Sequence, residues 1–409
     1  MTRTLFSGGA VFDGTGSPPR DADVLVEGGR ILDVGAGLDG DEAVDVRGAT
    51  LLPGLFDCHT HVFFDHRETL DDAHAMELPF SYRFFQAARH LEATLRQGVT
   101  TIRDGAGADL GVKRAVEDGL IAGPRMQIAI TMLSQTGGHG DHWMPCGGVF
   151  PRNPPHPGRP SGLVDGVDEV RRKVRELIRD GADVIKVATS GGALSPTDDP
   201  RGRQFSDEEL EVAVREAAAA HRHVMAHAQG TEGIKAAVRA GVRSVEHGTF
   251  LDDEGIEMML ERGTWLVPTL SAPHGLLDAA AEGLPVPEYA VAKTKEMMEA
   301  HRAAFRRALA AGVRVAMGTD SGVGRHGQNL RELALLAECG MTAVSALVTA
   351  SSAAAELMGL DGQLGTLEPG KRADLVVVDG DPYDLVTLGE RITAVYKDGR
   401  LMHGSAGSA

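Results

Sequence analysis

His59-Thr60-His61 is the first place in this chain where side-chain type and spacing suggest chemistry. Residues at i and i+2 of an extended segment face the same side, so the two imidazoles point together. Other residues of ligand or proton-transfer type stand at the ends of short apolar runs. Lys186 lies within Asp183-Val184-Ile185-Lys186-Val187, His227 ends His223-Val224-Met225-Ala226-His227, His247 ends Ser244-Val245-Glu246-His247, and Asp320 follows Arg314–Gly318. Each alone is weak, because a single histidine at a strand end is more often a structural hydrogen-bonder. Together, imidazoles and a carboxylate form a divalent-metal ligand set that suits zinc, and also manganese, cobalt or iron. Lys186 is the odd member. An ammonium inside so apolar a run is costly unless neutralised or paired, so chemical modification or a nearby metal is expected there.

These positions make sense only if their elements share one rim. Strand candidates at 54–57, 99–103, 126–130, 183–187, 223–227, 244–247, 265–268 and 314–318 alternate with helical patterns. One helix is expected over Asp207–Ala220 behind Ser206, with Glu209 completing a capping box, and another over Leu330–Glu338. Repeated strand–helix units over this length point to an α/β protein with a (β/α)8 TIM barrel at 56–360, whose chemistry sits at the C-terminal strand ends. Both termini instead read as short strands between Gly-rich turns. Residues 1–55 and 361–409 are therefore expected to form one small composite β-sandwich domain, with a hairpin-type turn at Lys397-Asp398-Gly399-Arg400. A Pro-rich loop spans Pro151–Pro160.

Composition bounds the rest. A chain of 409 residues that is 42% hydrophobic can bury a large core, which excludes disorder. No apolar run reaches the length of a membrane span and no signal-type segment opens the chain. The three cysteines, Cys58, Cys146 and Cys339, are too scattered for a disulfide framework, so a cytoplasmic location is expected. Alternation turns Cys58 away from the neighbouring ligands, and Cys146 has no evident base partner, so both are read as structural. A net charge of −17 argues against nucleic acid or an anionic membrane as partner.

The sequence resembles the amidohydrolase superfamily along nearly its whole length. The resemblance is carried by Leu52-Pro53-Gly54-Leu55-Phe56-Asp57-Cys58-His59-Thr60-His61, by Thr319-Asp320, and by Gly365-Thr366-Leu367-Glu368-Pro369-Gly370-Lys371-Arg372-Ala373-Asp374-Leu375-Val376. Within it, Thr136-Gly137-Gly138-His139-Gly140-Asp141, Lys186–Gly192 and Val245-Glu246-His247-Gly248-Thr249 look like the metal-dependent Xaa-Pro dipeptidase and carboxypeptidase branch, related to imidazolonepropionase. The resemblance implies two divalent metal ions, zinc first among them. His59 and His61 would bind one together with Asp320, His227 and His247 would bind the other, and an N-carboxylated Lys186 would bridge them. Two such ions can hold a hydroxide at neutral pH and polarise a carbonyl. The expected reaction is hydrolysis of a C–N amide bond in an Xaa-Pro-type dipeptide or an N-acyl amino acid. Asp320 carries protons and His139 polarises the carbonyl.

Small-molecule substrate contacts are expected from His142, from Gln229 two residues after His227, and from Arg203; Arg201, Ser271 and His274 are further candidates. Trp265 and Leu266 are read as core. Gln229 departs from the branch, which often carries His or Tyr there, and so weakens the dipeptidase label. Alternatives are a small-molecule amidase, carbamate or lactone hydrolase of the same fold, a one-metal deaminase, and a non-catalytic scaffold. The deaminase reading conflicts with Lys186 and with the lack of a Glu directly after His227. The scaffold reading conflicts with a filled ligand set. Relatives of this kind commonly form homo-oligomers, and the same is expected here.

Overall fold

The computed structural model describes residues 2–144, 146–149, 154–195 and 198–405; residues 151–153 of the Pro-rich loop and 196–197 of the loop before Arg203 lie outside them. The middle of the chain alternates strand and helix as its periodicity predicts. Leu55–Thr60, Val99–Asp104 and Arg125–Ile128 pair in parallel as a three-stranded sheet. Met132–Leu133, Val184–Ala188, His223–Ala228, Ser244–His247 and Trp265–Val267 form a parallel five-stranded sheet. These strands are buried along almost their whole length, as parallel strands covered on both faces must be.

Two expectations need correction. The strand expected at 126–130 is interrupted, because Ile130 adopts a left-handed φ of 67° and the chain resumes pairing at Met132. The strand expected at 314–318 does not form. Val315 makes a single parallel bridge to Leu266, and Ser321 makes another to Thr60. The backbone between them still bonds to both neighbours, with Cys58 N–H donating to Met317 O at 2.9 Å and Leu266 N–H to Arg314 O at 2.8 Å. Glycine and left-handed geometry near Asp320 break the regular ladder without moving this segment from its place.

The helices follow their sequence signals. Ser206 and Glu209 cap Asp207–Ala219 reciprocally, and Arg331–Glu338 forms where it was expected. The terminal regions give a four-stranded sheet from residues 3–45 and a six-stranded sheet that joins Ala49–Pro53 to Leu375–Asp379 and Ile392–Lys397. Phe6, Val24 and Ile31 of the first sheet share a buried apolar cluster with Leu51, Leu375 and Tyr396 of the second. The hairpin turn at Asp398-Gly399 has positive φ at both central residues, the geometry that suits the twist of paired strands. Pro53 ends one strand and Leu55 begins the first parallel strand, so the β region fixes where the His59 strand starts. No helix among the described residues is long and apolar enough to cross a membrane.

Candidate metal centre and active-site cavity

Asp57, His59 and His61 alternate on one face of Leu55–Thr60 and the residue after it. Asp57 is fully buried and serves the frame. It accepts from the backbone N–H of His59 and Thr319 at 3.1 Å each, from Thr319 Oγ1 at 2.6 Å and from Asn329 Nδ2 at 2.8 Å. It therefore ties the His59 strand to the Asp320 segment. Gly318 permits the close approach: a Cβ there would lie 2.4 Å from Val267 Cγ1 and 2.9 Å from His59 Cβ.

Five imidazoles form a row across the cavity floor. Ring centroids are 5.3 Å apart for His61 and His59, 5.1 Å for His59 and His247, 4.6 Å for His247 and His227, and 4.2 Å for His227 and His139. Asp320 Oδ1 lies 3.3 Å from His61 Nε2 and 3.5 Å from His59 Nε2. These three residues offer ligand atoms within 4.8 Å of one another. Lys186, 1% exposed, places Nζ 3.2 Å from His59 Nε2.

The far ring nitrogens are engaged in a way that leaves the near ones available. His59 Nδ1 meets Glu246 Oε2 at 2.8 Å, His61 Nδ1 meets Ala106 O at 3.0 Å, and His247 Nδ1 meets Thr269 Oγ1 at 2.6 Å. His227 Nε2 faces Gly191 O at 3.1 Å, which leaves its Nδ1. Such outer contacts set tautomer and ring orientation in metal sites, so the donor set fits divalent ions.

Electrostatics match. Burial lowers His59 to about 4 and holds His227 and His247 well below the ordinary imidazole value, which keeps lone pairs available. Burial would raise Asp320, but His59 and His61 outweigh it and keep the carboxylate ionised. Burial pushes Lys186 down to about 8, toward the neutral amine. Backbone strain gathers here as well. His247, Thr269 and Asp320 have φ of 71°, 52° and 57°, each at the end of its segment.

The ligand row opens into a cavity of about 370 Å³. His139, His142, Gln229 and Thr249 line its polar side. His139 stacks on His227 with its Nδ1 2.9 Å from Ser195 Oγ, and Gly192 makes room, since a Cβ there would sit 2.2 Å from the ring. Thr249 Oγ1 donates to Gln229 Oε1. Apolar side chains line the rest of its wall, among them Phe64, Met132, Leu163, Leu276, Met297 and Met298.

Arg203 is not part of this site. It is exposed, bonds Asp207 Oδ1 at 2.7 Å and Phe205 O at 3.2 Å, and does not line the cavity. The residue beside it does the positioning: buried Gln204 accepts from His139 N–H at 3.0 Å. Arg201 pairs with Glu296 at 2.7 Å and covers the Phe250 ring, also away from the cavity. His274 faces a separate small cavity with His301 and Arg302, and Ser271 Oγ donates to Thr319 O at 3.0 Å. Cys58, Trp265 and Leu266 are core, and Cys146 is exposed. Further residues besides Gln204 carry no signal in the sequence. Glu246 carries His59, His301 Nε2 meets His247 O at 2.9 Å, and Glu332 accepts the N–H groups of Leu270 and Ser271 at 2.8 and 2.7 Å.

The profile of the amidohydrolase family matches residues 50–402. The ochratoxinase of Aspergillus niger is 36% identical over 420 residues, covering 98% of this chain and 87% of that protein. A crystal structure of an Xaa-Pro dipeptidase with methionine bound in its active site superimposes with a TM-score of 0.90 at 33% identity, covering 98% of this chain and 100% of the other. A prolidase complexed with N-methylphosphonate-L-proline gives a TM-score of 0.90 at 36% identity, with coverage of 99% and 100%.

Proposed function

This chain belongs to the amidohydrolase family and is a hydrolase acting on amide bonds; from there we propose that it cleaves an Xaa-Pro-type dipeptide or an N-acyl amino acid at a two-metal centre. The observation that carries this reading is the convergence of His59, His61, Lys186, His227, His247 and Asp320 on one cavity floor. His59, His61 and Asp320 would hold one ion, His227 and His247 the other, with Lys186 bridging as a carbamate. Bound there, divalent ions, zinc first among them, supply Lewis-acid polarisation and lower the pKa of water.

The chain's own groups do the rest. Asp320 is ionised, faces the cavity, and takes the proton of the attacking water. It then returns that proton to the leaving nitrogen. His139, with Nδ1 committed to Ser195, turns its other nitrogen to the scissile carbonyl oxygen and stabilises the charge that develops there. The apolar wall packs the substrate group beside the amide and excludes water. That wall also favours the second reading, a small-molecule amidase or carbamate hydrolase with a bulky apolar substrate.

Bridges from Val315 to Leu266 and from Ser321 to Thr60 support a (β/α)8 barrel over 56–360. The shared apolar cluster of the terminal sheets supports a β-sandwich from 1–55 and 361–409.

Elemental analysis tests the centre: about two metal ions per chain are expected, whereas one favours a deaminase and none a scaffold. Kinetics on a panel of Xaa-Pro dipeptides and N-acyl amino acids tests the substrate. Turnover confined to carbamates or lactones, with no dipeptide or N-acyl amino acid cleaved, overturns the first reading.

A further inference from the structure

Beneath the row of imidazoles lies a charged core that the reaction does not use. Arg103, on Val99–Asp104, is 3% exposed, and Glu246, on Ser244–His247, is 0% exposed. The Arg103 guanidinium donates through Nε to Cys58 O at 2.7 Å, through one terminal nitrogen to Ser244 Oγ at 3.2 Å, and through the other to Glu246 Oε1 at 3.0 Å. Ser244 Oγ donates to the same Glu246 oxygen at 2.5 Å. The second Glu246 oxygen faces His59 Nδ1 at 2.8 Å. One chain of contacts thus joins three different strands through the interior.

Such a core is expensive. Parallel-sheet interiors are filled mainly by branched aliphatic side chains, and burying a charge costs several kcal/mol per ion before pairing is counted. Alternation does not require it either, since an apolar residue at either position would pack the interior. A buried pair retained against that cost calls for a role, and its hydrogen bond to the ligand row goes to His59.

We propose that Glu246 and Arg103 are a positioning pair for the metal centre. Glu246 accepts the Nδ1 proton of His59, which fixes the tautomer whose Nε2 lone pair faces Asp320 and Lys186. Arg103 supplies the counter-charge, and its three donors pin the Glu246 carboxylate, the Ser244 hydroxyl and the Cys58 carbonyl one residue before His59. The contrast with His61 sharpens the assignment. His61 Nδ1 rests on a neutral backbone carbonyl, whereas His59 Nδ1 rests on a carboxylate, the stronger acceptor for that proton. Burial would raise Glu246, but Arg103 and His59 outweigh it and keep it below the usual carboxylate range. The inference rests on the two-metal reading above.

The test is zinc affinity of the purified holoenzyme, measured by chelator competition beside the thermal midpoint of the metal-free chain. Glu246→Gln offers one acceptor and one donor, so in either orientation an N–H faces the N–H of His59 or of Arg103. Zinc is expected to bind about 10- to 100-fold more weakly. The double variant Arg103→Met/Glu246→Leu replaces the ion pair with apolar volume, a change that is often neutral or stabilising. It is expected to regain the thermal midpoint while zinc stays weakened. Zinc affinity within twofold of wild type in Glu246→Gln overturns the proposal. So does a double variant that recovers affinity together with stability, because the pair would then be structural only. If Glu246→Gln fails to fold, the double variant decides alone: wild-type affinity overturns the proposal and weakened affinity supports it. A wild-type protein that binds no zinc or other divalent ion would instead overturn the metal-centre reading.

Discussion

The strand ends and the loops above them are built by different rules. On the strands, each functional side chain is buried and held by a defined partner: His59 by Glu246, His61 by the Ala106 carbonyl, His247 by Thr269. In the loops, His139, His142 and Gln229 are only half-buried, and His139 takes its position from Gln204, distant in sequence. Rigid strands place the groups that must hold fixed geometry, while the loops present the surface that a substrate meets. Replacing a strand-end group should therefore abolish function or alter stability, and replacing a loop group other than His139 or its support Gln204 should at most retune specificity.

The largest effect is expected at Asp320. Asp320→Asn keeps the shape but cannot carry the proton, so kcat should fall by about 10²- to 10⁴-fold, the usual contribution of a positioned acid–base group. Metal content measured on the same sample separates proton transfer from metal loss. Full turnover with both ions retained would remove Asp320 from the mechanism and blur the contrast between strand ends and loops.

The same contrast explains what the sequence disclosed. Period-2 alternation is enough for His59 and His61, because a strand has two faces and only one points inward. Alternation does not mark Glu246, because on a regular strand it sends Glu246 and its neighbour His247 to opposite sides. The left-handed φ of 71° at His247 breaks the alternation, so Glu246 joins Ser244 in the interior and His247 still reaches the rim. The segment at 314–318 carries Asp320 to the rim without forming a strand, since backbone bonds to both neighbours hold it. Charge alone marks Arg203, yet loop conformation turns it outward and turns Gln204 in. No periodicity governs such a loop, so neighbouring residues cannot be ranked from sequence.

Glu332 tests the frame rather than the chemistry. Its carboxyl holds the end of the Trp265–Val267 segment through Leu270 and Ser271, and burial raises it from 4.5 to about 7. The folded chain thus binds this proton more tightly than the unfolded chain. Its stabilising contribution is full below about pH 4.5 and is lost as the pH rises through about 7, on the order of 3 kcal/mol in all. Glu332→Gln removes that slope. Thermal midpoints of both proteins at pH 5 and pH 8, at equal metal loading, should show wild type losing stability relative to the variant. Parallel midpoints would mean that the carboxyl is not protonated in the folded chain.

On the apolar wall the expected effect is smaller and depends on substrate. Met297, on the helix Glu288–Ala311, is 7% exposed and lines the cavity. Shortening it removes part of the roughly 1.5–3 kcal/mol that a buried methionine side chain contributes, so Met297→Ala should raise KM about tenfold for an N-acyl amino acid with a bulky acyl group. The N-acetyl analogue should change little, because it does not reach the wall. Equal losses for both substrates would point to a distorted ligand floor instead, which the metal content would reveal.

Arg203 sets the lower end of the scale. Its ion pair with Asp207 is an exposed i,i+4 contact at the start of the helix Asp207–Ala219, and such pairs contribute about 0.2–1 kcal/mol to stability. Arg203→Ala should therefore leave KM within about twofold for a substrate bearing a free carboxylate and lower the thermal midpoint only slightly. Gln204→Ala, one residue on, removes the acceptor of the His139 backbone and should lower kcat for the same substrate. If Arg203→Ala instead raised KM by tenfold or more, the loop would have to fold inward when substrate binds, and the arginine would be a carboxylate clamp after all. That result would also change the comparison itself: the loops would then supply a charged, substrate-assembled half of the site, not just a surface that tunes it.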